Sequence, residues 1–288
     1  MRIIPSDQLP INSDGSVFHL HLKPEQLADK VVMMGDPERV PVVATCFKNI
    51  EFDCQNREFR VITGSYKGKR ITALSHGIGC DNIDIVMNEL DALANINLST
   101  RTVKPDFRRL TLVRIGTCGG LQPFCPIGSY IVSEISMGMD GLLFFYKNSE
   151  EVLETALSDS FIKHTQWNPS LAKPYFIRSD SSLVEQIGYD MRKGITISAN
   201  GFYGPQGRYV RLELQQPDLN EKIESFEYQG LKIANYEMES AALAGLSRLM
   251  GHRAMTACLV IAGRYAGDMN TDYKRSFDEL ITKVLNRI

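Results

Sequence analysis

The chain lacks the motifs that mark the common nucleotide and metal sites. Its 288 residues contain no Gly-x-x-x-x-Gly-Lys-Ser/Thr loop, no Gly-x-Gly-x-x-Gly turn and no His-Glu-x-x-His helix. The six cysteines include no Cys-x-x-Cys pair, and each is expected to be a small core residue rather than a ligand or a disulfide partner. The sequence therefore predicts no metal site.

Strong charge and long apolar segments are also missing. The net charge is −2, which offers no electrostatic reason for binding a nucleic acid or an anionic membrane. The longest apolar runs, such as residues 258–262, are far too short to cross a bilayer. Residues 1–7 contain no apolar signal segment. We therefore expect a cytoplasmic protein whose partners are small molecules, with no nucleic acid and no membrane among them.

Short apolar segments alternate with segments of helical pattern along the whole chain. Strands are predicted near residues 31–36, 58–66, 69–75, 110–116, 128–136, 174–178, 194–200, 231–236 and 254–262, and helices near 81–95, 150–165, 181–191, 238–250 and 275–287. This alternation predicts an α/β fold with a central mixed β-sheet flanked by helices. No stretch resembles a linker, so residues 1–288 are expected to form a single domain that begins with an arm, residues 1–25.

Two carboxylates lie where a strand is predicted to pass into a helix. Glu237 and Glu239 flank Met238 directly after the strand that ends at residue 236. At this place an α/β sheet presents side chains to a ligand. Carboxylates repel a phosphate but accept hydrogen bonds from sugar hydroxyls. The alternative to a ligand site is that these acids complement the dipole of the following helix. That explanation accounts for one glutamate better than for two.

Two arginines lie beside glycines at the ends of other predicted strands. Arg39 follows Gly35 after one apolar strand, and Arg114 precedes Thr117 in the glycine-rich residues 114–120. Glycines allow close approach of the backbone, whose N–H groups form an anion cradle together with a hydroxyl. The planar guanidinium suits an oxyanion better than an ammonium does. One such arginine is usually a solvated strand end, but two favour a phosphate site.

A tight loop at residues 202–209 adds polar groups of another kind. Gln206 and Arg208 are two residues apart, and together they offer several donors and one acceptor in a plane. A flat heterocycle such as uracil needs that set, and Phe202 offers a ring face for stacking. Taken alone, this loop is more typical of an ordinary surface turn.

Together with residues 18–20, 56–59 and 75–79, these segments resemble the nucleoside phosphorylases of the hexameric type over nearly the whole chain. The Gln-x-Arg pair is similar to that of the members that cleave uridine rather than a purine nucleoside. The resemblance implies reversible phosphorolysis of uridine to uracil and ribose 1-phosphate, in pyrimidine salvage. It implies inorganic phosphate as co-substrate, no cofactor, and a homo-oligomer, dimer or hexamer, whose active sites are shared between subunits.

The resemblance also implies a role for individual residues. The residues that would hold phosphate are Gly35, Arg39, Arg114 and Thr117, with Arg57 reaching the phosphate of a neighbouring subunit. The ribose would be held by Glu237, Met238 and Glu239, and by His19 across the same interface. The uracil would be bound by Phe202, Gln206, Arg208 and Arg264. Of these residues, Arg114, Arg208 and Glu239 would act on the reacting groups.

The chain departs from the family pattern in several places. Purine-specific members usually have a catalytic aspartate near residues 261–264, whereas the first acid here is Asp268, which argues against a purine substrate. Cys118 stands where a threonine or serine is expected, and the order of Gly204 and Pro205 is reversed relative to some relatives. Residues 97–109 are longer and more basic than the connection needs, which bears on subunit packing.

Three alternative functions remain open from the sequence. A purine nucleoside phosphorylase is opposed by Gln206 and Arg208, and a nucleosidase that uses water has little reason to keep Arg39, Arg57 and Arg114. A non-catalytic nucleoside-binding relative is expected to have lost phosphate or ribose residues. The full set of these residues is present here.

Overall fold

A computed structural model describes residues 2–288, over which the chain forms fourteen strands and seven α-helices. The strands are β1 (Lys30–Met34), β2 (Lys48–Asn56), β3 (Phe59–Tyr66), β4 (Lys69–Ser75), β5 (Ile96–Asn97), β6 (Thr102–Val103), β7 (Thr111–Gly120), β8 (Tyr130–Gly138), β9 (Tyr175–Arg178), β10 (Arg192–Ser198), β11 (Glu227–Tyr228), β12 (Leu231–Glu237), β13 (Arg253–Gly263) and β14 (Asp268–Met269). The helices are α1 (Arg39–Ala44), α2 (Cys80–Asn95), α3 (Thr155–Thr165), α4 (Ser181–Gly188), α5 (Leu219–Ser225), α6 (Ser240–Met250) and α7 (Lys274–Arg287).

Most of the strands form one mixed twelve-stranded sheet, as the sequence predicts. Its main path runs β11-β12-β10-β8-β13-β7-β1-β4-β3-β2, with β13, β7, β1 and β4 parallel to one another. Strand β12 also pairs back onto β7, where Asn235 lies opposite Gly120 and Tyr236 opposite Gly119. The pairing β7-β13-β8-β10-β12-β7 is therefore a closed ring of five strands. This closure brings the end of β12 beside the middle of the sheet.

Helices cover both faces of the sheet through apolar stripes. In α2, Val86, Leu90 and Leu93 recur at the spacing of one helical face, and all three are fully buried in a core that also contains Leu246 of α6. On the other face, Val284 of α7 packs with residues of α1 and α4. Helical layers therefore pack on both faces of the central strands, and elements packed in this way can hold a precisely placed site at their ends.

The predicted strands and helices are present, although the helix predicted near residues 150–165 begins only at Thr155. Seven elements were not predicted: β2, the two-residue strands β5, β6, β11 and β14, and the helices α1 and α5. The helix predicted from Met238 begins at Ser240, with Glu239 as the residue that precedes its first turn. The carboxylate of Glu237 accepts hydrogen bonds from the backbone N–H groups of Glu239 and Ser240 at this end of the helix. Strand β2 was not predicted because it is a largely exposed edge strand of mixed polarity. Helix α1, which contains Pro41, and helix α5 were too short to show a period.

The basic segment at residues 97–109 has a structural use. It contains the β5–β6 hairpin, and the Arg101 side chain donates to the carbonyls of Ile4 and Pro5 in the N-terminal arm. The Lys104 ammonium donates to the carbonyl of Ala94 at 2.9 Å, at the end of α2. The positive charges of this segment therefore fasten the arm and complement the carbonyl end of a helix.

Candidate functional site

A cavity of about 910 Å³ opens at one end of the sheet. Its walls come from the residues that follow β1 and β4, from the middle of β7, from the loop after β10 and from the ends of β12 and β13. This volume lies within the range of small-molecule sites. Eleven of the predicted site residues line it: Gly35, Arg39, Arg114, Thr117, Phe202, Gln206, Arg208, Glu237, Met238, Glu239 and Arg264.

Arg114 is buried and paired with both glutamates. Its Nη1 lies 2.9 Å from Oε2 of Glu237, and its Nη2 contacts Oε2 of Glu239. A Cβ atom at Gly116 would lie 2.7 Å from Nη1, so the guanidinium rests directly against the strand backbone. Burial opposes the charged form, but the two carboxylates outweigh it and raise the pKa of Arg114. The arginine is a fixed cation whose donors all point at defined acceptors.

Glu237 is held entirely by protein groups. It accepts from the Ser198 hydroxyl at 2.6 Å, from the Ser240 hydroxyl at 2.8 Å and from the Glu239 backbone N–H at 2.9 Å, besides Arg114. Such a carboxylate is satisfied by the fold and orients its neighbours. The sequence did not point to Ser198, which lies 39 residues away along the chain at the end of β10.

Glu239 has a less complete set of partners. Its Oε1 accepts from the Gly79 backbone N–H at 2.8 Å, and its Oε2 meets Arg114. Burial raises the pKa of Glu239 by more than the charge of Arg114 lowers it. The carboxylate therefore lies in the cavity wall between a backbone donor and a cation, where a ligand hydroxyl can compete for it.

His76 is a further neighbour of Arg114 that the sequence did not identify as a site residue. The Arg114 Nε donates to His76 Nε2 at 3.2 Å, and the imidazole is fully buried. Burial and, next, the charge of Arg114 lower the pKa of His76 well below its usual value. His76 is therefore neutral at physiological pH and serves as an acceptor that orients the guanidinium.

A second group of arginines lies around Gln206. Arg208 donates to Gln206 Oε1, and its guanidinium lies over the Phe202 ring, 3.8 Å from the centroid. Arg264 donates from Nη2 to the Gln206 carbonyl at 2.7 Å. Burial and then the charge of Arg264 lower the pKa of Arg208 to about 10. Gln206 is 3% exposed, and its side-chain oxygen is held by Arg208.

Strand β7 runs beneath both arginine groups. Gly116 lies against the guanidinium of Arg114, and a Cβ atom at Gly119 would lie 3.3 Å from the side chain of Arg264. Three residues of a strand span about 10 Å. The cavity thus has positive charge at two places along β7, at Arg114 and at Arg264. The Glu239 carboxylate lies beside Arg114.

Arg39 lines the cavity at the start of α1. Its Nη2 donates to the Tyr273 hydroxyl at 3.1 Å, and its guanidinium carbon lies 4.4 Å from the centroid of the Phe277 ring. Its Nε is 3.9 Å from the Asp36 carboxylate. The arginine is held by residues near the C-terminal end of the chain, which no local pattern could reveal.

Two predicted residues, His19 and Arg57, lie outside the cavity of this chain. His19 Nδ1 is hydrogen-bonded to Glu89 Oε1 at 2.7 Å, and the His19 carbonyl accepts from Asn56 Nδ2 at 2.8 Å. Arg57 is exposed at the turn between β2 and β3, with a φ of 55°. The two residues are neighbours on one surface, because Asn56 joins them.

Asp268 is a cavity residue that the sequence reasoning placed too far from the site. The turn after Arg264 contains Gly267 with a φ of 69°, and it returns the chain so that Asp268 of β14 pairs with Gly263 of β13. Asp268 therefore lines the cavity. The distance in sequence from Arg264 is not a measure of its distance from the site.

Over residues 2–288 the structure shows no cluster of three or more His, Cys, Asp or Glu side chains suited to a metal ion. All six cysteines are free thiols, and Cys118, Cys125 and Cys258 are buried together. Burial raises the pKa of the Cys118 thiol well above its usual value, so it is an inert wall residue. None of the helices in the described part of the chain combines the length and apolar character needed to span a bilayer.

Comparison with known proteins agrees with this geometry. Residues 29–288 match the family model described as the phosphorylase superfamily, and the chain belongs to this family. It is 28% identical to the uridine phosphorylase of Thermococcus kodakarensis over 269 residues, which cover 91% of this chain and 83% of that protein. It is also 28% identical to the uridine phosphorylase of Haemophilus influenzae, with 86% of each chain covered.

A solved structure is similar over nearly the full length. The Trypanosoma brucei nucleoside phosphorylase, described as showing uridine phosphorylase activity, superposes with a TM-score of 0.83 at 26% identity, covering 97% of this chain and 100% of that one. The α/β fold with a mixed central sheet, predicted from the sequence, is therefore confirmed at the level of the family.

Proposed function

We propose that this protein is a uridine phosphorylase, which converts uridine and inorganic phosphate to uracil and ribose 1-phosphate. One observation supports this most directly: a single cavity joins the Arg114 group with the Gln206, Arg208 and Arg264 group, and the Glu239 carboxylate lies between a cation and a backbone donor. The relatives described as uridine phosphorylases support the same function.

The phosphate would bind at Arg114 and Arg39, over the glycine backbone. Gly35 has little free space, since a Cβ atom there would lie 3.1 Å from the Gly77 carbonyl, and the Thr117 hydroxyl is available as a further donor. Charge-assisted hydrogen bonds from guanidinium groups are the strongest that a protein offers to an oxyanion. An incoming phosphate would exchange with Glu239 on Arg114 Nη2.

The ribose would lie against Met238 and Glu239. Once phosphate occupies Arg114, the Glu239 carboxylate can accept from the 2′- and 3′-hydroxyls, while Glu237 stays fixed by Ser198 and Ser240. The main proposed role of Glu237 is thus to orient its neighbours in the site, in addition to any contact with the sugar. Both negative charges also face the oxocarbenium character that develops on the sugar.

The uracil would be read by Gln206 and Arg208, with the Phe202 face and Arg264 completing the walls. The side-chain amide of Gln206 is oriented because its oxygen accepts from Arg208, and Arg264 donates to the backbone carbonyl of the same residue. These donors stabilise the negative charge that appears on the leaving base. Preorganised donors of this kind each contribute about 10²–10³ in rate.

The reaction needs positive groups at two places, beside the attacking phosphate and beside the leaving uracil. Phosphate approaches one face of C1′ while uracil leaves from the other, and the arginines at both places are already fixed before the reaction begins. Alignment of the reacting atoms can contribute roughly 7–11 kcal/mol more. Because uracil is a sufficiently acidic leaving group, the proposal requires no general acid, and inorganic phosphate takes part as a co-substrate.

His19 and Arg57 fit the proposed function only in a homo-oligomer. Both lie on one surface outside their own cavity, joined through Asn56. In a symmetric dimer, such a surface can reach the site of the partner, and the partner returns the contact. We propose that Arg57 contacts phosphate and that His19 contacts the ribose 5′-hydroxyl in this way.

The experiment that tests the proposed function is uridine cleavage with and without inorganic phosphate, with uracil, ribose and ribose 1-phosphate measured separately. Phosphate-dependent formation of uracil and ribose 1-phosphate is expected. Free ribose formed without phosphate would make the protein a nucleosidase. Consumption of inosine or adenosine in preference to uridine would make it a purine nucleoside phosphorylase.

A further inference from the structure

We propose that Tyr273 and Phe277 are positioning residues that hold the Arg39 guanidinium in the orientation in which it binds phosphate. The inference rests on the proposed function, because it presupposes that Arg39 binds phosphate. Tyr273 directly precedes α7, and Phe277 lies one turn into this helix. Neither residue lines the cavity.

The two aromatic residues contact Arg39 in complementary ways. The Tyr273 hydroxyl accepts from Arg39 Nη2 at 3.1 Å, and the Phe277 ring centroid lies 4.4 Å from the guanidinium carbon. The second distance is well inside the range in which a ring face attracts a cation, about 6 Å. The ring supports the plane of the guanidinium, and the hydroxyl fixes its rotation within that plane.

A competing partner makes this support necessary. The Asp36 carboxylate is 3.9 Å from Arg39 Nε, and it also lines the cavity. An arginine that closed on this carboxylate in a direct pair would be a poorer site for an anion, because its donors and charge would already be satisfied. The aromatic contacts hold the guanidinium at a distance where Asp36 is not a direct hydrogen-bond partner.

Helix α7, which carries Phe277 and directly follows Tyr273, is anchored to the rest of the protein along its length. Phe277 is 4% exposed and packs in the core with Leu280 and Val284 of the same helix. At the far end of α7, Arg287 donates to Asp190 Oδ1 at 2.6 Å and to Oδ2 at 2.9 Å. A side chain held by residues on a fixed helix keeps its orientation, so Arg39 is preorganised for phosphate.

The test compares steady-state kinetics of the full-length protein with two substitutions. Tyr273→Phe removes only the hydroxyl, and Phe277→Leu removes the ring but keeps the position apolar. We expect the KM for phosphate to rise about 3- to 10-fold in each, since a hydrogen bond or a ring contact to a charged group is lost. The kcat and the KM for uridine should stay within about twofold, because neither residue lies in the cavity.

Two controls separate positioning from a general loosening of the helix. Val284→Ala removes buried volume from α7 two turns beyond Phe277, and it should lower stability without raising the KM for phosphate. Phe277→Tyr keeps a ring face and should restore most of the phosphate affinity that Phe277→Leu loses. Equal rises in the KM for phosphate in Val284→Ala and Phe277→Leu would overturn the inference.

A double-mutant cycle shows whether the effect acts through Arg39. In an Arg39→Ala background, Tyr273→Phe should cause no further rise in the KM for phosphate, because the group it positions is gone. An effect of Tyr273→Phe that persists there would refute the positioning role. A failure of the proposed function is a different result: the wild-type protein would then cleave uridine without phosphate, or not at all.

Discussion

Glu237 Oε2 lies 2.9 Å from Arg114 Nη1, and both side chains are at most 5% exposed. A buried cation of this kind is tolerated because two carboxylates and His76 share it. The same arrangement places opposite charges beside each other at the point where a ligand would bind. The stability of the fold and the chemistry of the site therefore depend on the same side chains.

Glu237→Gln is expected to lower stability as well as activity. The substitution removes the negative charge that pairs with buried Arg114 and replaces one acceptor oxygen by an NH2 donor, which should cost about 2–4 kcal/mol of unfolding free energy. Denaturant unfolding measures this. Glu134→Gln is the matched control: Glu134 lies 3.7 Å from Arg178 and is a third exposed, so its loss should cost little. Equal costs in the two variants would contradict the buried-pair account.

Arg208→Ala is expected to raise the KM for uridine and to lower kcat, together by about 10²-fold in kcat/KM, because a donor to the leaving base is lost. The KM for phosphate should change little. Arg211→Ala provides the control, since Arg211 is exposed further along the same loop. The proposed base site would be wrong if phosphate, and not uridine, were the substrate whose KM rises.

Asp268→Asn tests whether the carboxylate that the turn brings into the cavity takes part in the reaction. For uridine, kcat should stay within about threefold of wild type, because the base is released as an anion stabilised by Arg208 and requires no proton from a carboxylic acid. Uracil release at saturating substrates is the readout. A loss of a hundredfold or more would mean that Asp268 acts as a general acid.

Mixed oligomers test the shared active site. Arg57→Ala and Arg208→Ala should each be nearly inactive alone, since one lacks the phosphate residue offered to the neighbour and the other lacks the base residue of its own site. Unfolding and refolding a mixture should restore about a quarter of the wild-type rate, because some sites then combine intact residues from both subunits. No recovery from a mixture that is shown to form heteromers would place Arg57 outside the site.

The contact between α7 and Asp190 should weaken in acid. Hydrogen bonds from Arg287, followed by those from Lys283, lower the pKa of the Asp190 carboxyl. A carboxyl whose pKa is lower in the folded state stabilises the protein above its unfolded pKa of about 3.9, and this contribution is lost as the pH falls through the folded pKa. The stability difference between wild type and Asp190→Asn should therefore be constant from pH 7 to about pH 5 and shrink near pH 3. Denaturant unfolding at these pH values measures it, and an increase in acid would contradict the sign.

The sequence by itself determined the main elements of the fold and eleven of the residues that line the cavity. Alternating apolar segments predicted the strands, and glycines and charges at strand ends indicated Arg114, Glu237 and Glu239, because residues at such ends need only local context to be placed. Gln206 and Arg208 lie in a loop that by itself is typical of a surface turn, and only the resemblance to the family assigned them to the base. These residues do lie together around one cavity.

Only the tertiary structure decided which residues support and complete that site. Tyr273 reaches Arg39 from 234 positions away, and a tight turn brings Asp268 back to the cavity. His19 and Arg57 lie on a separate surface, so their proposed roles depend on a second subunit. Such relationships come from strand pairing and helix packing between segments that are distant in sequence. A pattern of residues along the chain does not show how close two such segments lie in space.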